Sequence, residues 1–278
     1  MEEKNIFAKR KLVLQDILKH IQKDYGKIIT ISQSQVALSN DVFFIETSAK
    51  KLVLKIFNNK NKHLFNIHNH KRLINYFAEK NLTPSCLFFN HKYCVLEYIK
   101  GTPLQTNNIS IKNFTSIIKE IHSSQLNINQ RNFLHTTKSY LKGIPSQHLE
   151  NKLFKDAVSL SQKLFTIIAK FPKDYTVCHN DLNVNNFIQT QEKLYILDFE
   201  YATINDKYFD FASIKTFLNK DDFAIFIKKY DINLDDTKLF AYSRLIEFIS
   251  SIWCFMMNYQ EDAEIYAKAM IEKTKDLN

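Results

Sequence analysis

The sequence predicts an α+β fold with two lobes: a small mixed N-lobe with an antiparallel sheet over residues 1–100, and a larger, mainly helical C-lobe over residues 101–278. Three observations lead to this prediction. Short strand patterns are concentrated in the first hundred residues, amphipathic helical patterns predominate after residue 110, and a polar loop with a hairpin pattern interrupts the helices near residue 180. A chain of 278 residues can bury the core that such a fold needs.

The N-lobe is predicted from strand patterns and two helices. Strand patterns occupy five segments: 28–31, 42–46, 52–57, 86–89 and 93–98. Apolar residues recur at helical spacing over two further segments, 10–24 and 65–80. Gly26 follows the first helix and Pro84 follows the second, and both residue types favour helix ends.

The C-lobe is predicted to be helical because its apolar residues recur every three to four positions. One such stripe runs from Phe114 to Ile121. The remaining helical patterns cover 153–171, 209–230 and 235–276. Residues 125–148 are polar and irregular, and we expect a connection with short helical pieces there.

Residues 178–210 contain most of the functional information. A short strand pattern ends at Cys178, the polar loop HNDLNVNN follows, and two alternating segments then predict a hairpin. This geometry brings Asp181, Asn186 and Asp198 into one neighbourhood. Two carboxylates and an amide offer oxygen ligands that suit Mg²⁺ and a substrate hydroxyl.

Two motifs in this stretch resemble a known family. HNDLNVNN matches the H-x-D-x-x-x-x-N catalytic loop of the aminoglycoside phosphotransferase and choline kinase superfamily, which is related to the protein kinases. ILDFEYATIND resembles the I-D-[FW]-E-Y-A/S segment of choline and ethanolamine kinases, especially the LicA-like group. The resemblance implies a protein-kinase-like fold and transfer of a phosphoryl group from ATP, with Mg²⁺, to a small alcohol.

The resemblance also implies roles for individual residues. Asp181 is expected to accept or orient the proton of the substrate hydroxyl, and Asn186 and Asp198 are expected to hold Mg²⁺. His179 is expected to order the loop through hydrogen bonds. Asp210 matches an aspartate that follows the metal-binding segment in the family, and we expect it to anchor the catalytic loop or cap the next helix.

The nucleotide site is expected in the N-lobe and at the connection between the lobes. Lys55, in LVLKIF, lies where the family has the lysine that contacts nucleotide phosphates. LEYIKGTPL, residues 96–104, resembles the hinge E-[FY]-I-x-G-x-x-L. Backbone groups around Glu97 and Ile99 are therefore expected to meet the adenine edge.

Two features depart from the family pattern. The loop SQSQVALSND keeps Ser39 and Asn40, which are expected to contact the nucleotide, but it lacks the glycine pair that lets backbone approach phosphates closely. Between residues 46 and 79 there is no acidic residue, so the helix lacks the glutamate that pairs with the strand lysine. Lys55 consequently has no evident partner in its own lobe.

The resemblance indicates choline as the leading acceptor. Quaternary ammonium groups bind to aromatic faces beside a carboxylate. Glu200 and Tyr201 follow the metal aspartate, and Trp253, the single tryptophan, matches an aromatic position in the LicA-like tail. These three residues are the expected acceptor ligands, with core packing as the alternative for Trp253. Ethanolamine, thiamine and a sugar or aminoglycoside are alternative acceptors, and a non-catalytic pseudokinase that binds a ligand is the alternative without chemistry.

Composition limits the partners and the location. The formal net charge is +9, but the lysines are spread along the chain and there is no nucleic-acid motif, so we expect no nucleic-acid partner. The four cysteines form no C-x-x-C pair, as expected of reduced thiols in the cytoplasm. The longest apolar run, residues 245–257, contains Glu247 and is too short to span a bilayer, so no membrane association is expected.

Overall fold

The computed structural model describes residues 2–34, 40–58, 67–130 and 133–274. The strands of its N-terminal part are β1 (Ile28–Gln33), β2 (Asp41–Thr47), β3 (Lys51–Ile56), β4 (Cys86–Phe89) and β5 (Tyr93–Glu97). They form an antiparallel sheet in the order β1-β2-β3-β5-β4. Helix α1 (Glu2–Tyr25) precedes this sheet, and helix α2 (Ile67–Glu79) lies between β3 and β4 in the chain.

One face of strand β3 packs into the N-lobe core, and its other face is directed toward the cleft between the two lobes. Leu52 and Leu54 are fully buried and pack with Ile17 and Ile21 of α1. Because successive side chains of a strand point to opposite faces, Lys55 lies on the face away from α1. The alternation in β3 therefore directs this lysine toward the second lobe.

Helix α2 precedes the second lobe in sequence but packs against its core. The buried residues Leu73, Ile74 and Phe77 belong to the large apolar cluster that fills the C-lobe. Phe77 and Phe199 stack with their ring centroids 4.8 Å apart and an interplanar angle of 13°. Such stacking adds to the apolar burial of both rings. It places α2 against the segment that follows Asp198.

The C-terminal part is mainly helical. Its helices are α3 (Ile111–His122), α4 (Phe133–Lys142), α5 (Lys152–Lys170), α6 (Tyr208–Lys215), α7 (Lys220–Tyr230), α8 (Asp236–Met256) and α9 (Gln260–Thr274). The side chains of Asn151, Asn219 and Asp235 cap the first turns of α5, α7 and α8 by accepting a backbone N–H three residues further on. These caps satisfy donors that a helix start otherwise leaves without a partner.

Helix α8 forms the centre of the C-lobe. By length and composition it could cross a bilayer, and 56% of its most apolar window is buried inside the protein. Leu245, Phe248 and Ile252 are among the residues it buries in the C-lobe core. The apolar surface of α8 is thus used for packing, as in a core helix.

Two small sheets connect the helices to the cleft. Strand β7 (Tyr175–Cys178) pairs antiparallel with β10 (Thr203–Asp206), and β8 (Phe187–Gln189) pairs with both β6 (Thr102–Pro103) and β9 (Leu194–Ile196). Gly101 precedes β6, where a Cβ atom would lie only 2.6 Å from the carbonyl oxygen of Gln189. Only glycine allows this close approach of the chain as it enters the second lobe.

The predicted α+β class is confirmed, and most predicted elements agree with the structure to within a few residues. Helix α4 has ten residues and is longer than the short helical pieces expected in the connection over residues 125–148. Its inward face contains the buried polar residues Thr136 and Thr137, which weaken the apolar periodicity. The lobe boundary at residue 100 stays a prediction; β5 ends at Glu97 and β6 begins at Thr102.

Candidate active site

One buried carboxylate holds the loop after β7 in place. The backbone N–H groups of His179 and Asn180 each donate to an oxygen of Asp210 at 2.8 Å. Asp210 is fully buried, and its carboxylate also lies 3.0 Å from Nε2 of His122. Charged acceptors make strong hydrogen bonds to backbone N–H groups. The expectation that Asp210 anchors the catalytic loop is confirmed.

His179 links the catalytic loop to the segment before Asp198. Its Nε2 donates to the carbonyl oxygen of Leu197 at 2.8 Å, and its Nδ1 accepts from the backbone N–H of Asp181 at 3.3 Å. A carbonyl can only accept and an N–H can only donate, so the ring is neutral with its proton on Nε2. Burial lowers the pKa of His179, in agreement with a neutral ring. His179 orders the loop, as expected.

Asp181 follows a tight backbone turn. Asn180 has a φ of 62°, a left-handed conformation that asparagine tolerates better than most residues. The two carboxylate oxygens of Asp181 accept hydrogen bonds from Nδ2 of Asn183 at 3.3 Å and Nδ2 of Asn186 at 2.9 Å. The pKa of Asp181 is raised to about 7, mainly because the carboxylate is buried and also because the charge of Asp198 is close by. A carboxylate with a pKa near neutrality suits proton transfer at neutral pH.

Asn186 and Asp198 are brought together by a backbone contact. The N–H of Leu197 donates to the carbonyl oxygen of Asn186 at 2.8 Å, so the residue before Asp198 is bonded to Asn186. Burial alone would raise the pKa of Asp198, but the Lys55 ammonium keeps it below its usual value. A carboxylate and an amide oxygen are ligands that Mg²⁺ accepts. This donor set fits a divalent cation, and the metal role of both residues stays a prediction.

Lys55 lies between two carboxylates of the other lobe. Its Nζ is 2.5 Å from Oδ1 of Asp198 and 3.1 Å from Oε2 of Glu200. The side chain of Glu200 is only 2% exposed. Burial would lower the pKa of Lys55, but the charges of Asp198 and Glu200 raise it above its usual value. One ammonium therefore faces two carboxylates, and burial together with the charge of Asp198 raises the pKa of Glu200.

Asn40 joins the same cluster from the N-lobe. Its Nδ2 donates to Oε2 of Glu200 at 2.8 Å, and its Oδ1 accepts from the backbone N–H of Asn58 at 3.1 Å. The structure therefore brings together Lys55, Asn40 and Glu200. Glu200 was expected among the acceptor ligands, but its carboxylate faces the expected nucleotide residues. Ser39 lies outside the described residues.

A histidine occupies the part of α2 where a glutamate was expected by resemblance. His70 is buried, and its ring lies 5.7 Å from that of Phe57 and 5.4 Å from that of Phe89. The pKa of His70 is lowered to about 3, mainly because the ring is buried and also because the Lys55 charge is close by. The ring is therefore neutral at physiological pH and supplies no countercharge to Lys55.

This buried histidine makes stability depend on pH. We expect the free energy of unfolding to fall as pH drops below about 6.5, because the unfolded chain then binds a proton at His70 that the folded chain refuses down to pH about 3. Between pH 7 and pH 5 the loss from this residue is about 2 kcal/mol. Urea unfolding of His70→Gln should show a smaller loss over this range. Equal losses in His70→Gln and in the exposed control His20→Gln would contradict this account.

A small pocket lies beside the catalytic loop and opens to solvent. It is lined by Thr136, Tyr140, Asn180, Tyr201, Thr203, Phe209 and Ile249. Nδ2 of Asn180 donates to the carbonyl oxygen of Tyr201 at 3.0 Å, so two lining residues are bonded to each other next to Asp181. Three aromatic rings border the cavity. Tyr201 is thus placed at a pocket, as the acceptor prediction requires, although its role stays a prediction.

Trp253 is not among the described residues that line this cavity. It lies one helical turn after Ile249 on α8, and its ring is 6.2 Å from that of Tyr259. This placement agrees with core packing, the alternative role expected for Trp253. Tyr140, which the sequence analysis missed, provides an aromatic ring from α4 instead. The spacing of Thr136 and Tyr140, four residues apart, was the available signal for a helix face there.

The expected hinge residues lie at the end of the sheet. Glu97 is the last residue of β5, and Ile99 follows two positions later. Phe44 is opposite Val53 in the sheet, which places it on the same face as Lys55. The rings of Phe44 and Tyr98 lie 6.1 Å apart, and both are partly exposed. The nucleotide roles of Glu97 and Ile99 stay predictions.

Comparisons with known proteins agree with this architecture. A family model described as choline/ethanolamine kinase matches residues 31–271. The Protein LicA homolog of Mycoplasma capricolum is 26% identical over 191 residues, which cover 68% of this chain and 78% of that protein. The crystal structure of choline kinase LicA from Streptococcus pneumoniae has a TM-score of 0.83 at 20% identity and covers 95% of this chain and 99% of its own. A structure of LicA in complex with AMP has a TM-score of 0.80 at 20% identity, with coverage of 95% and 98%.

The fold and the clustered loop residues define a kinase-like phosphotransferase that acts on an alcohol group. The match to the family model covers most of the sequence. The chain belongs to the choline/ethanolamine kinase family. The predicted family and enzyme class are therefore confirmed.

Proposed function

We propose that the protein transfers the γ-phosphoryl group of ATP, with Mg²⁺, to the hydroxyl group of choline. One observation carries this proposal: Asp181 lies beside the expected cation ligands Asn186 and Asp198 and next to a small aromatic pocket. Phosphoryl transfer needs a positioned hydroxyl, neutralised phosphates and a group that receives a proton. The three requirements correspond to the pocket, the cation ligands with Lys55, and Asp181.

Each residue has a definite part in this mechanism. Asp181 accepts the hydroxyl proton late in the transfer, and the amides of Asn183 and Asn186 orient its carboxylate. Lys55 contacts the phosphates from the N-lobe side. Asn186 and Asp198 would hold Mg²⁺, which supplies positive charge to the phosphate oxygens.

The pocket chemistry favours choline over ethanolamine. Tyr140, Tyr201 and Phe209 offer aromatic faces, which attract a quaternary ammonium without requiring hydrogen bonds. No carboxylate occurs among the described lining residues. A quaternary ammonium needs no hydrogen-bond acceptor, so the three aromatic rings are the part of the lining that favours choline.

The non-catalytic alternative rested partly on a lysine without a partner. Lys55 has two carboxylate partners in the structure, Asp198 and Glu200. The missing α2 glutamate therefore does not leave Lys55 without a countercharge, which supports a catalytic role. Half of the glycine-poor loop, the other support for the non-catalytic alternative, lies outside the described residues, including the positions where the glycine pair was expected.

The acceptor is tested by measuring ADP formation with Mg²⁺ and choline, ethanolamine, thiamine or a sugar. We expect the highest kcat/KM with choline. Tyr140→Leu should raise the KM for choline about 2- to 30-fold, the range of one cation–π contact, and leave the KM for ATP unchanged. Tyr266→Leu, at an exposed site on α9, is the matched control and should change neither. A higher kcat/KM with another acceptor would refute choline, and ligand binding without any turnover would support a pseudokinase.

A further inference from the structure

The Lys55 cluster contains a carboxylate that the proposed mechanism does not use. Glu200 is two residues beyond Asp198, and its side chain is almost completely buried. A buried carboxylate is costly unless it is paired and hydrogen-bonded. Its Oε2 accepts from Asn40 Nδ2 at 2.8 Å and lies 3.1 Å from Lys55 Nζ. Both of these donors belong to the N-lobe sheet and its loop, whereas Glu200 belongs to the C-lobe.

Asp198 and Glu200 differ in what else they can bind. The Asp198 side chain is 26% exposed and that of Glu200 is 2% exposed. Asp198 is the expected cation ligand, and an oxygen bound to a divalent cation is a weaker partner for an ammonium. Glu200 lies deeper in the cluster, and its Oε2 contacts both Asn40 and Lys55. It is therefore the partner that can hold Lys55 while Asp198 binds the cation.

We propose that Glu200 is a positioning residue that replaces the missing α2 glutamate and, with Asn40, holds Lys55 in place for the nucleotide phosphates. Its countercharge comes from the segment after Asp198 rather than from α2, where His70 is neutral. The Phe77–Phe199 stack supports this arrangement because it fixes the residue next to Glu200 against α2. Lys55 orientation thus depends on contact between the lobes. The inference rests on the proposed nucleotide role of Lys55.

A double-mutant cycle tests this role by calorimetric titration of a non-hydrolysable ATP analogue, with and without Mg²⁺. We expect Glu200→Gln to weaken binding about tenfold, also without Mg²⁺, because the neutral amide no longer orients Lys55. In a Lys55→Met background the same substitution should change binding less than about twofold. Glu46→Gln, which removes an acid paired with exposed Lys51, is the matched control and should leave binding unchanged.

The outcomes separate this role from its rivals. Equal losses from Glu200→Gln in both backgrounds, or a loss that needs Mg²⁺, would overturn the proposal and indicate direct metal binding. A lower melting temperature with unchanged binding would overturn it in favour of a purely structural Glu200. Because binding is measured without turnover, a failure to phosphorylate choline would count against the proposed function and not against Glu200.

Discussion

The Asp181→Asn variant is expected to lose about 10²- to 10⁴-fold in kcat, the usual contribution of a positioned general base. Asparagine has nearly the same shape as aspartate but cannot take a proton from the acceptor hydroxyl. Its remaining oxygen can still accept from Asn186, which now bonds to the carboxylate at 2.9 Å. Binding of nucleotide and acceptor should therefore stay within about threefold of the native values.

We do not expect the loss of kcat in Asp181→Asn to result from a loss of folding stability. Burial and the neighbouring Asp198 disfavour the ionised form of Asp181, which is why its pKa is raised to about 7. A neutral side chain removes that unfavourable charge, so the melting temperature of Asp181→Asn should equal or exceed that of the native protein. Coupled measurement of ADP formation gives kcat, and Asp16→Asn, at an exposed site on α1, is the control. A loss below tenfold in kcat would exclude Asp181 as the base.

Local sequence patterns predicted the parts of the site that lie close together in the chain. Asp181 and Asn186 belong to one loop, and Asp198 follows across a short hairpin, so strand alternation alone brings them near each other. The apolar stripes of the helices are equally local. These features need little information from the rest of the fold.

The parts that the sequence did not predict depend on distant contacts. Glu200 meets Asn40 across 160 residues of chain, and no periodicity encodes that pairing. Its position beside Tyr201 suggested an acceptor role, yet adjacent residues in a 3₁₀ turn point in different directions. Trp253 was expected at the acceptor site because it is the single tryptophan and matches an aromatic position of the family. Tyr140 was not expected there because the buried threonines of its helix interrupt the apolar periodicity.

The second large effect is expected from substitution of Asp210, the residue that anchors the catalytic loop. Asp210→Asn should lower the free energy of unfolding by about 3 kcal/mol, since one or two bonds to a buried charge are lost. Asp210 now accepts from the N–H groups of His179 and Asn180 and contacts His122. An asparagine has one acceptor oxygen, and its NH₂ group would face a backbone donor, which leaves a buried N–H without a partner. Urea unfolding measures this loss, and a loss below about 1 kcal/mol would contradict the prediction.

The same substitution should reduce catalysis beyond what instability explains. Asp181 follows Asn180 directly, so a displaced loop moves the base, and misplacement by about 1 Å can lower kcat by about 10²-fold. Asp206→Asn is the matched control, because Asp206 is also fully buried but is paired with Lys238 at 2.8 Å, away from the loop. Asp206→Asn should lose stability while kcat stays near the native value. If both variants lost kcat equally at a temperature where both are folded, Asp210 would be a stabilising residue and not the anchor that positions Asp181.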